Sequence, residues 1–277
     1  MIPVVFVHTG TSDYLIHSLN KASQKNKVVL LGDQPKDEPI FQQNNIDVFH
    51  IGSDIDNTEV EKFREVYHHM HTGGFGFEFF CYARWFFIKE YMEKNNINVV
   101  LYIDSDVLLY VDDIEKEYKK FEQFDFTISH KTSGHTSFWT LKGITDFCNF
   151  MIDTYSDRDG FNFHKLYSHH LAMQSCNLGG GVCDMTLLEL YGRLNAGKIG
   201  EMMYINNDSV YDHNLREQDQ YFEFENGRKK IQYIDGIPYV KSLKLDKLIR
   251  FNAIHFQGDN KRLMGKAFDM KDGYLDE

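Results

Sequence analysis

Short apolar segments separated by helical patterns occupy the first half of the chain. Four of them, Pro3–Val7, Lys27–Leu31, Ile46–Ile51 and Val99–Ile103, have the length and composition of buried strands. The residues between them have the spacing of helices. Strands that alternate with helices form βαβ units, whose strands run parallel in one sheet. The pattern therefore predicts an α/β fold with a mostly parallel sheet.

The second half of the chain shows a different pattern. Residues 221–240 alternate apolar and polar side chains around two pairs, Asn226-Gly227 and Asp235-Gly236. Such pairs favour the tight turns of β-hairpins, so this segment predicts a three-stranded β-meander. Leu248–Phe256 predicts one more strand. The chain has no internal repeat and no Pro/Ser-rich linker, so we expect a single domain over residues 1–277.

The charge and composition of the chain restrict its predicted partners and its predicted location in the cell. The formal net charge of −11 argues against nucleic acid as a partner, because phosphate backbones need a basic surface. The four cysteines lack the spacing of a disulfide framework, which indicates a reducing compartment. The start, Met1–Val7, lacks the basic region of a signal peptide, and no segment approaches the ~20 apolar residues of a membrane span. These features predict a cytoplasmic protein and leave a peripheral contact with a membrane face open.

The triplet Asp-x-Asp occurs three times, at residues 54–56, 104–106 and 157–159. Only the middle triplet directly follows a buried strand, Val99–Ile103. In an open α/β sheet, ligands bind beyond the carboxyl ends of the strands. Two close carboxylates repel each other, and a divalent cation relieves that repulsion. Asp104 and Asp106 are therefore candidate ligands for Mn²⁺ or Mg²⁺, both of which accept oxygen donors.

A strand that ends in Asp-x-Asp fits more than one class of enzyme. In phosphatases of the haloacid-dehalogenase type the pair lies near the start of its domain, whereas 103 residues precede Asp104 here. That position favours a transferase that uses a nucleotide sugar. A nucleotidyltransferase usually has a glycine-rich, basic loop after its first strand, and His8–Ser12 has one glycine and no cation. A non-catalytic protein that binds a nucleotide sugar remains an alternative.

Five short motifs occur in the order that is typical of one enzyme family. They are Phe6–Tyr14, Tyr82–Trp85, Tyr102–Asp106, Val182–Leu188 and Ile254–Lys261. With these motifs the chain resembles the GT-A class of glycosyltransferases, and most closely the retaining glycosyltransferase family 8, which includes glycogenin. The resemblance implies a GT-A fold: a Rossmann-like, mostly parallel sheet with a mixed or antiparallel C-terminal half. It also implies a nucleotide-binding half, residues 1–110, and an acceptor-side half, residues 111–265.

The resemblance assigns roles to the matching residues. Those implied to bind the nucleotide sugar are His8, Thr9, Thr11, Tyr14, Arg84, Asp104, Ser105, Gly258 and Lys261. The implied ligands of a Mn²⁺ (or Mg²⁺) cofactor are Asp104, Asp106 and His255. The implied catalytic residues are Asp184, beside the transferred sugar, and Arg84.

The chemistry of the last motif agrees with these roles. Imidazole is a good Mn²⁺ ligand beside two carboxylates, so His255 suits the metal. Gly258 allows the backbone to approach a phosphate closely, and Lys261 supplies positive charge for a leaving diphosphate.

Some of these residues also have a purely structural interpretation. Asp184 begins a predicted helix and follows Gly179–Gly181, so it also suits a helix N-cap. Arg84 lies in an aromatic helix and could serve only to neutralise a buried carboxylate. His255 could be a core histidine. We interpret the three glycines as a flexible loop on the acceptor side.

Taken with the resemblance, the sequence predicts a divalent-metal-dependent glycosyltransferase that retains the anomeric configuration. The expected donor is a nucleotide-diphosphate sugar, with uracil as the base. The expected acceptor is a glycan, a lipid-linked glycan or another hydroxyl compound.

Overall fold

The computed structural model describes residues 1–218 and 220–275. The strands, in chain order, are β1 (Val4–His8), β2 (Val28–Gly32), β3 (Ile46–His50), β4 (Val99–Ile103), β5 (Val107–Leu109), β6 (Phe126–Ile128), β7 (Thr136–Thr140), β8 (Ile199–Glu201), β9 (Ser209–Tyr211), β10 (Phe224–Glu225), β11 (Arg228–Lys229), β12 (Gln232–Ile234), β13 (Ile237–Ser242), β14 (Lys247–His255) and β15 (Gly273–Tyr274). The α-helices are α1 (Asp13–Ser23), α2 (Pro39–Gln43), α3 (Thr58–Val66), α4 (Phe75–Lys94), α5 (Ile114–Tyr118), α6 (Leu141–Ser156), α7 (Phe161–Ser175), α8 (Asp184–Leu194) and α9 (Met264–Asp269).

The larger sheet has the strand order β3-β2-β1-β4-β7-β6-β8. The first four strands are parallel, which confirms the prediction from the apolar segments. β7 then pairs antiparallel with β4 along its whole length. Apolar side chains of β1 enter two core clusters, Val4 and Phe6 on one face and Val5 and Val7 on the other. Both faces of the sheet are therefore covered, as its continuous apolar strands require.

The aromatic helix α4 lies within the larger core cluster. Its side chains are buried on nearly every side of the helix. Trp85 and Tyr82 are fully buried, and Phe86 is only 2% exposed. A helix that is apolar all round belongs inside a protein. Because α4 packs in the core beside β1, its one arginine, Arg84, is carried to the carboxyl ends of the strands.

The second sheet has the strand order β15-β12-β13-β14-β5, and β9 pairs with β14 outside that path. β5 begins one residue after Asp106, and it pairs antiparallel with the end of β14, where Val107 lies opposite His255. The pairing of β5 with β14 therefore brings the C-terminal part of the chain back to the end of β4.

The predicted three-stranded meander at residues 221–240 is wrong as a single unit. β10 pairs with β11 in a sheet of their own, whereas β12 pairs with β13 in the second sheet. Both Asx-Gly turns form as predicted, because Asn226, Gly227, Asp235 and Gly236 all have positive φ, as a tight hairpin turn needs. The predicted middle strand is instead divided between the two hairpins.

The charged segment of residues 112–124 is helical only in part, since α5 ends at Tyr118. Beyond it the chain continues in turns, which place Phe121 against Phe138 in the core. Among the described residues, none of the helices combines the length and the apolar composition that crossing a bilayer would require.

Candidate functional site

Asp104 and Asp106 occupy a tight turn between β4 and β5. The backbone N–H of Asp104 donates to the carbonyl of His135 (2.7 Å), and the N–H of Val107 donates to the carbonyl of Asp104 (3.1 Å). The N–H of Phe256 donates to the carbonyl of Asp106 (2.9 Å). Backbone bonds to two other segments thus fix the turn, and both carboxylates lie at the carboxyl edge of the parallel strands.

His255 completes a group of possible metal ligands with these aspartates. One donor atom from each of Asp104, Asp106 and His255 lies within 4.8 Å of the other two. The Nε2 of His255 is 3.4 Å from Oδ1 of Asp106, and both side chains are nearly buried. Two carboxylates and an imidazole are a donor set that Mn²⁺ or Mg²⁺ accepts, so the residues present fit such an ion.

Contacts at Nδ1, at the backbone N–H and on the face of the ring set the orientation of His255. Its Nδ1 lies 2.6 Å from the carbonyl oxygen of His213, and its backbone N–H donates to Oδ2 of Asp212 (3.3 Å). The ring of His135 stacks on it at 4.2 Å between centroids, with the planes 18° apart. A proton on Nδ1 satisfies that carbonyl and leaves Nε2 to face the aspartates. The simple core-histidine interpretation is therefore incomplete, because the ring faces the carboxylates.

A buried ion pair supports this arrangement. Lys229 Nζ lies 2.8 Å from Oδ1 of Asp212, and the two side chains are 1% and 0% exposed. The same ammonium donates to the carbonyl of Asn214 at 2.8 Å. Because Asp212 also accepts from the backbone of His255, the pair connects the β10–β11 hairpin to the candidate metal ligand.

The charges of the site act on one another. Lys261 Nζ lies 3.2 Å from Oδ2 of Asp106. Burial opposes ionisation of Asp106, but hydrogen bonds and charges from His255 and Lys261 lower its pKa overall. Burial also disfavours the charged form of His255, yet the hydrogen bond and charge of Asp106 raise its pKa above the ordinary value. A cation, whether a proton or a metal ion, is thus favoured between these side chains.

Arg84 lies between two carboxylates. Its Nη1 donates to Oδ1 of Asp104 (2.9 Å), and its Nη2 donates to Oδ2 of Asp184 (2.5 Å). The hydroxyl of Tyr102 donates to the same oxygen of Asp104 and accepts from Nη1 at 3.0 Å. The arginine therefore neutralises one buried and one partly buried carboxylate, and it joins the end of β4 to the start of α8.

The N-cap interpretation of Asp184 is wrong. Cys183 is the N-cap of α8, and Asp184 is the first helical residue. Its carboxylate turns away from the helix to accept from Arg84 and from Nε1 of Trp85 (3.1 Å). Negative charge at this end of an eleven-residue helix is favourable, because the helix dipole is positive there.

The loop after β1 forms another side of the site. His8 ends β1, and its ring meets that of Tyr14 edge-on at 5.9 Å. The ammonium of Lys261 lies 4.7 Å from the centroid of Tyr14, so residues far apart in sequence are brought together here. Thr9 and Thr11 are exposed in the same loop. Burial is the main cause of a lowered pKa at His8.

Two further predicted residues lie in turns. Ser105 separates the two aspartates and is partly buried. Gly258 opens the 3-10 helix Gly258–Leu263 with a φ of +63°, a conformation that favours glycine, and a Cβ there would meet no atom closer than 4.0 Å. This turn carries Lys261 towards Asp106.

Sequence reasoning missed the residues that support His255, namely His135, Asp212, His213 and Lys229. The position of His135 follows from the antiparallel pairing of β7 with β4, which places Thr136 beside Ile103, and no local pattern indicates that pairing. Nothing in the local pattern connects Lys229, in the predicted meander, with Asp212, which lies 17 residues earlier and outside it.

The chain was also compared with known proteins. No protein-family model matches it, and no curated protein matches it in sequence. The bifunctional glycosyltransferase WbbM, in its apo form, matches 98% of this chain and 50% of its own, at 12% identity and a TM-score of 0.50. This chain thus spans about half the length of WbbM.

Two further solved structures are similar at lower scores. Mouse xyloside xylosyltransferase 1 matches 76% of this chain and 87% of its own, at 7% identity and a TM-score of 0.48. An active-site mutant of LgtC matches 96% of this chain and 95% of its own, at 12% identity and a TM-score of 0.48.

The likeness concerns the fold, since all of these identities are low. The match to WbbM covers nearly the whole of this chain, and the larger sheet has the mostly parallel order expected from the sequence. The chain has the α/β GT-A fold, and in that fold it resembles glycosyltransferases.

Proposed function

We propose that this protein transfers a sugar from a nucleoside-diphosphate sugar, a UDP-sugar, to a hydroxyl group of a glycan acceptor. One observation carries the proposal. Asp104, Asp106, His255 and Lys261, which come from two segments far apart in the sequence, converge at the carboxyl edge of parallel strands. In open α/β sheets this edge is where ligands bind.

The residues that would hold a divalent ion are Asp104, Asp106 and His255. We take the ion to be Mn²⁺ or Mg²⁺, because the donors are carboxylates and one imidazole. When bound, such an ion acts as a Lewis acid that offsets negative charge on a leaving nucleoside diphosphate.

The chain supplies further positive charge of its own. Lys261 lies at the opening between Asp106 and the Tyr14 ring, with 37% of its side chain exposed, so it can turn towards a bound diphosphate. Positive charge placed where negative charge develops lowers the barrier for departure of the leaving group. The loop of His8, Thr9 and Thr11 provides polar groups beside it for the base and ribose.

Asp184 is the residue that we place beside the transferred sugar. In the described part of the chain its hydrogen bonds from Arg84 and Trp85 both go to Oδ2. Those bonds hold the carboxylate in one orientation and leave Oδ1 for a sugar hydroxyl or for the positive charge that develops at the anomeric carbon. With the family resemblance, this arrangement supports transfer with retention of configuration.

Thermal unfolding with UDP, GDP or CDP, each with and without Mn²⁺, tests the donor site. A ligand at about a hundred times its Kd stabilises by about 2.7 kcal/mol. For a chain of this size that corresponds to a rise in Tm of about 5 °C. We expect this rise with UDP only when Mn²⁺ is present.

Two matched variants make the test specific. Asp106→Asn should abolish the Mn²⁺-dependent rise in Tm, since it removes one proposed ligand with little change in shape. Asp159→Asn, in the exposed triplet of residues 157–159, should keep it. The absence of a shift with all three nucleotides in the wild-type protein would refute the donor site. Detection of sugar transfer, with NMR assignment of the product anomer, would then test the reaction itself.

A further inference from the structure

A second group of potential ligands lies outside the proposed donor site. Nδ1 of His130 is 3.3 Å from Oε1 of Glu217, and Nε2 of His213 is 3.7 Å from Oε2 of the same carboxylate. The two imidazole rings are 5.0 Å apart between centroids. One donor atom from each of the three residues lies within 4.8 Å of the other two.

These separations suit a small tetrahedral ion. Nitrogen and oxygen ligands lie about 2.0–2.2 Å from Zn²⁺, so in a tetrahedron they are about 3.3–3.6 Å from each other. Each histidine nitrogen lies at this value or just above it from the carboxylate, at 3.3 Å from Oε1 for His130 and at 3.7 Å from Oε2 for His213. Two histidines and one glutamate are also a set that zinc accepts while keeping one position open for water or substrate.

The carboxylate of Glu217 does not have a full set of hydrogen-bond partners among the described residues. Oε2 of Glu217 is buried and lacks a hydrogen-bond partner within residues 1–218 and 220–275. Buried polar atoms of native proteins nearly always have a partner, so an unpartnered oxygen of a carboxylate that lies beside two histidines indicates a missing ligand.

The backbone at His130 is held in an unfavourable conformation that directs its ring to this place. His130 and Lys131 have φ values of +53° and +63°, which non-glycine residues rarely adopt in succession. The carboxylate of Glu201 accepts from both backbone N–H groups, at 2.9 and 3.0 Å, and so stabilises the turn. Unfavourable backbone conformations of this kind concentrate at functional sites.

The other two ligands lie on a segment fixed to the rest of the fold. The buried pair of Asp212 and Lys229 holds its start, and the N–H of Leu215 donates to the carbonyl of His255 at 3.2 Å. The three ligands therefore come from two separately fixed segments, and half of the His130 side chain is exposed, which leaves an entry path for an ion.

We propose that His130, His213 and Glu217 form a second metal site, of the zinc class, beside the donor site. A metal ion at this second site would also affect the donor site. The carbonyl of His213 contacts Nδ1 of His255, so an ion on the His213 ring also holds the backbone group that orients His255. His213 is thus both a ligand of the second site and a positioning residue for the first.

Metal binding to the untagged full-length protein tests this proposal. Co²⁺, which replaces zinc, gives an intense visible absorption when its coordination is tetrahedral, and Zn²⁺ competes it away. We expect that signal in the wild-type protein, and we expect His130→Ala and Glu217→Gln to weaken Co²⁺ binding more than tenfold. His164→Ala, which removes an exposed histidine of α7, should bind like the wild type.

Asp106→Asn separates this site from the donor site. That variant should keep the tetrahedral Co²⁺ signal, because none of the second-site ligands is changed. Circular dichroism of each variant checks that the chain is folded. Wild-type-like Co²⁺ and Zn²⁺ affinity in folded His130→Ala and Glu217→Gln would overturn the proposal. The measurement does not depend on nucleotide, so it stands whether or not the donor-site test succeeds.

Discussion

Replacing Arg84 with methionine tests how strongly the two carboxylates of the site depend on one guanidinium. Methionine keeps much of the apolar stem of arginine and removes the charge. Asp184 is 4% exposed in its side chain and, among the described residues, would retain only the hydrogen bond from Trp85. Asp104 is 25% exposed, so water compensates for part of its loss. The cost therefore comes mainly from the uncompensated charge of Asp184.

Removing one partner of a buried ion pair typically costs about 3–5 kcal/mol of stability. In a chain of this length that corresponds to a fall in Tm of about 6–10 °C. Urea unfolding followed by circular dichroism measures the loss directly. Arg193→Met is the matched control, because its ion pair with Glu189 is largely exposed and should contribute less than about 1 kcal/mol.

A double-mutant cycle identifies the cause of the loss. Arg84→Met combined with Asp184→Asn should be more stable than Arg84→Met alone, since the buried charge is removed together with its partner. We expect a coupling energy above about 2 kcal/mol between the two positions. An exposed ion pair contributes up to about 1 kcal/mol to stability. A loss of stability below about 1 kcal/mol in Arg84→Met, or a coupling energy near zero, would therefore refute the reasoning.

Two further predictions concern neighbouring parts of the fold. Gly181→Ala should destabilise the protein by about 2–3 kcal/mol in urea unfolding. The φ of Gly181 is +145°, and the new Cβ would lie 2.2 Å from the carbonyl oxygen of Met70. Gly179→Ala is the control, because its Cβ meets open space and the change should be neutral. Burial raises the pKa of Glu78 above 4.5, so its ionisation destabilises the fold as pH rises from that value, by at most about 1.4 kcal/mol per pH unit. Glu78→Gln should therefore gain stability relative to the wild type as the pH rises above 4.5, and a pH-independent difference would contradict this.

The parallel half of the fold could be predicted because its signals are local. A continuous apolar segment such as Val99–Ile103 has few alternatives to a buried strand, and the observed bounds of β4 agree with it. Asp104 and Asp106 then follow at the carboxyl end by the topology of any parallel sheet. Local chemistry also predicted the two Asx-Gly turns.

Pairing between distant segments could not be predicted in the same way. The turn at Asp235 and Gly236 indicated a hairpin, but nothing near it indicated that β13 would pair with β14 and β14 with β5. The glycines at 179–181 illustrate the same limit. We expected a flexible loop, yet Val182 N–H donates to Met70 O (2.8 Å), and the loop runs hydrogen-bonded along residues 70–72.

The buried polar contacts behind the site were the least predictable. His255 was identified by its motif, but its orientation depends on Asp212 and His213, which lie about forty residues earlier. A sequence shows which polar residues exist and not which of them share a buried partner. Their positions depend on packing of whole strands and hairpins, which no local pattern encodes.

The balance of charge at the site explains why we expect nucleotide binding to require a metal. Asp104, Asp106 and Asp184 face Arg84 and Lys261, so with His255 neutral the cluster carries one negative charge in excess. The whole chain adds to that, with a formal net charge of −11. A diphosphate approaching this edge of the sheet would be repelled, whereas the proposed divalent ion would reverse the local sign and attract it. The same reasoning predicts that UDP alone leaves the Tm unchanged. It also predicts that raising the salt concentration weakens the Mn²⁺-dependent shift only partly, because the side chains of the proposed ligands are mostly buried.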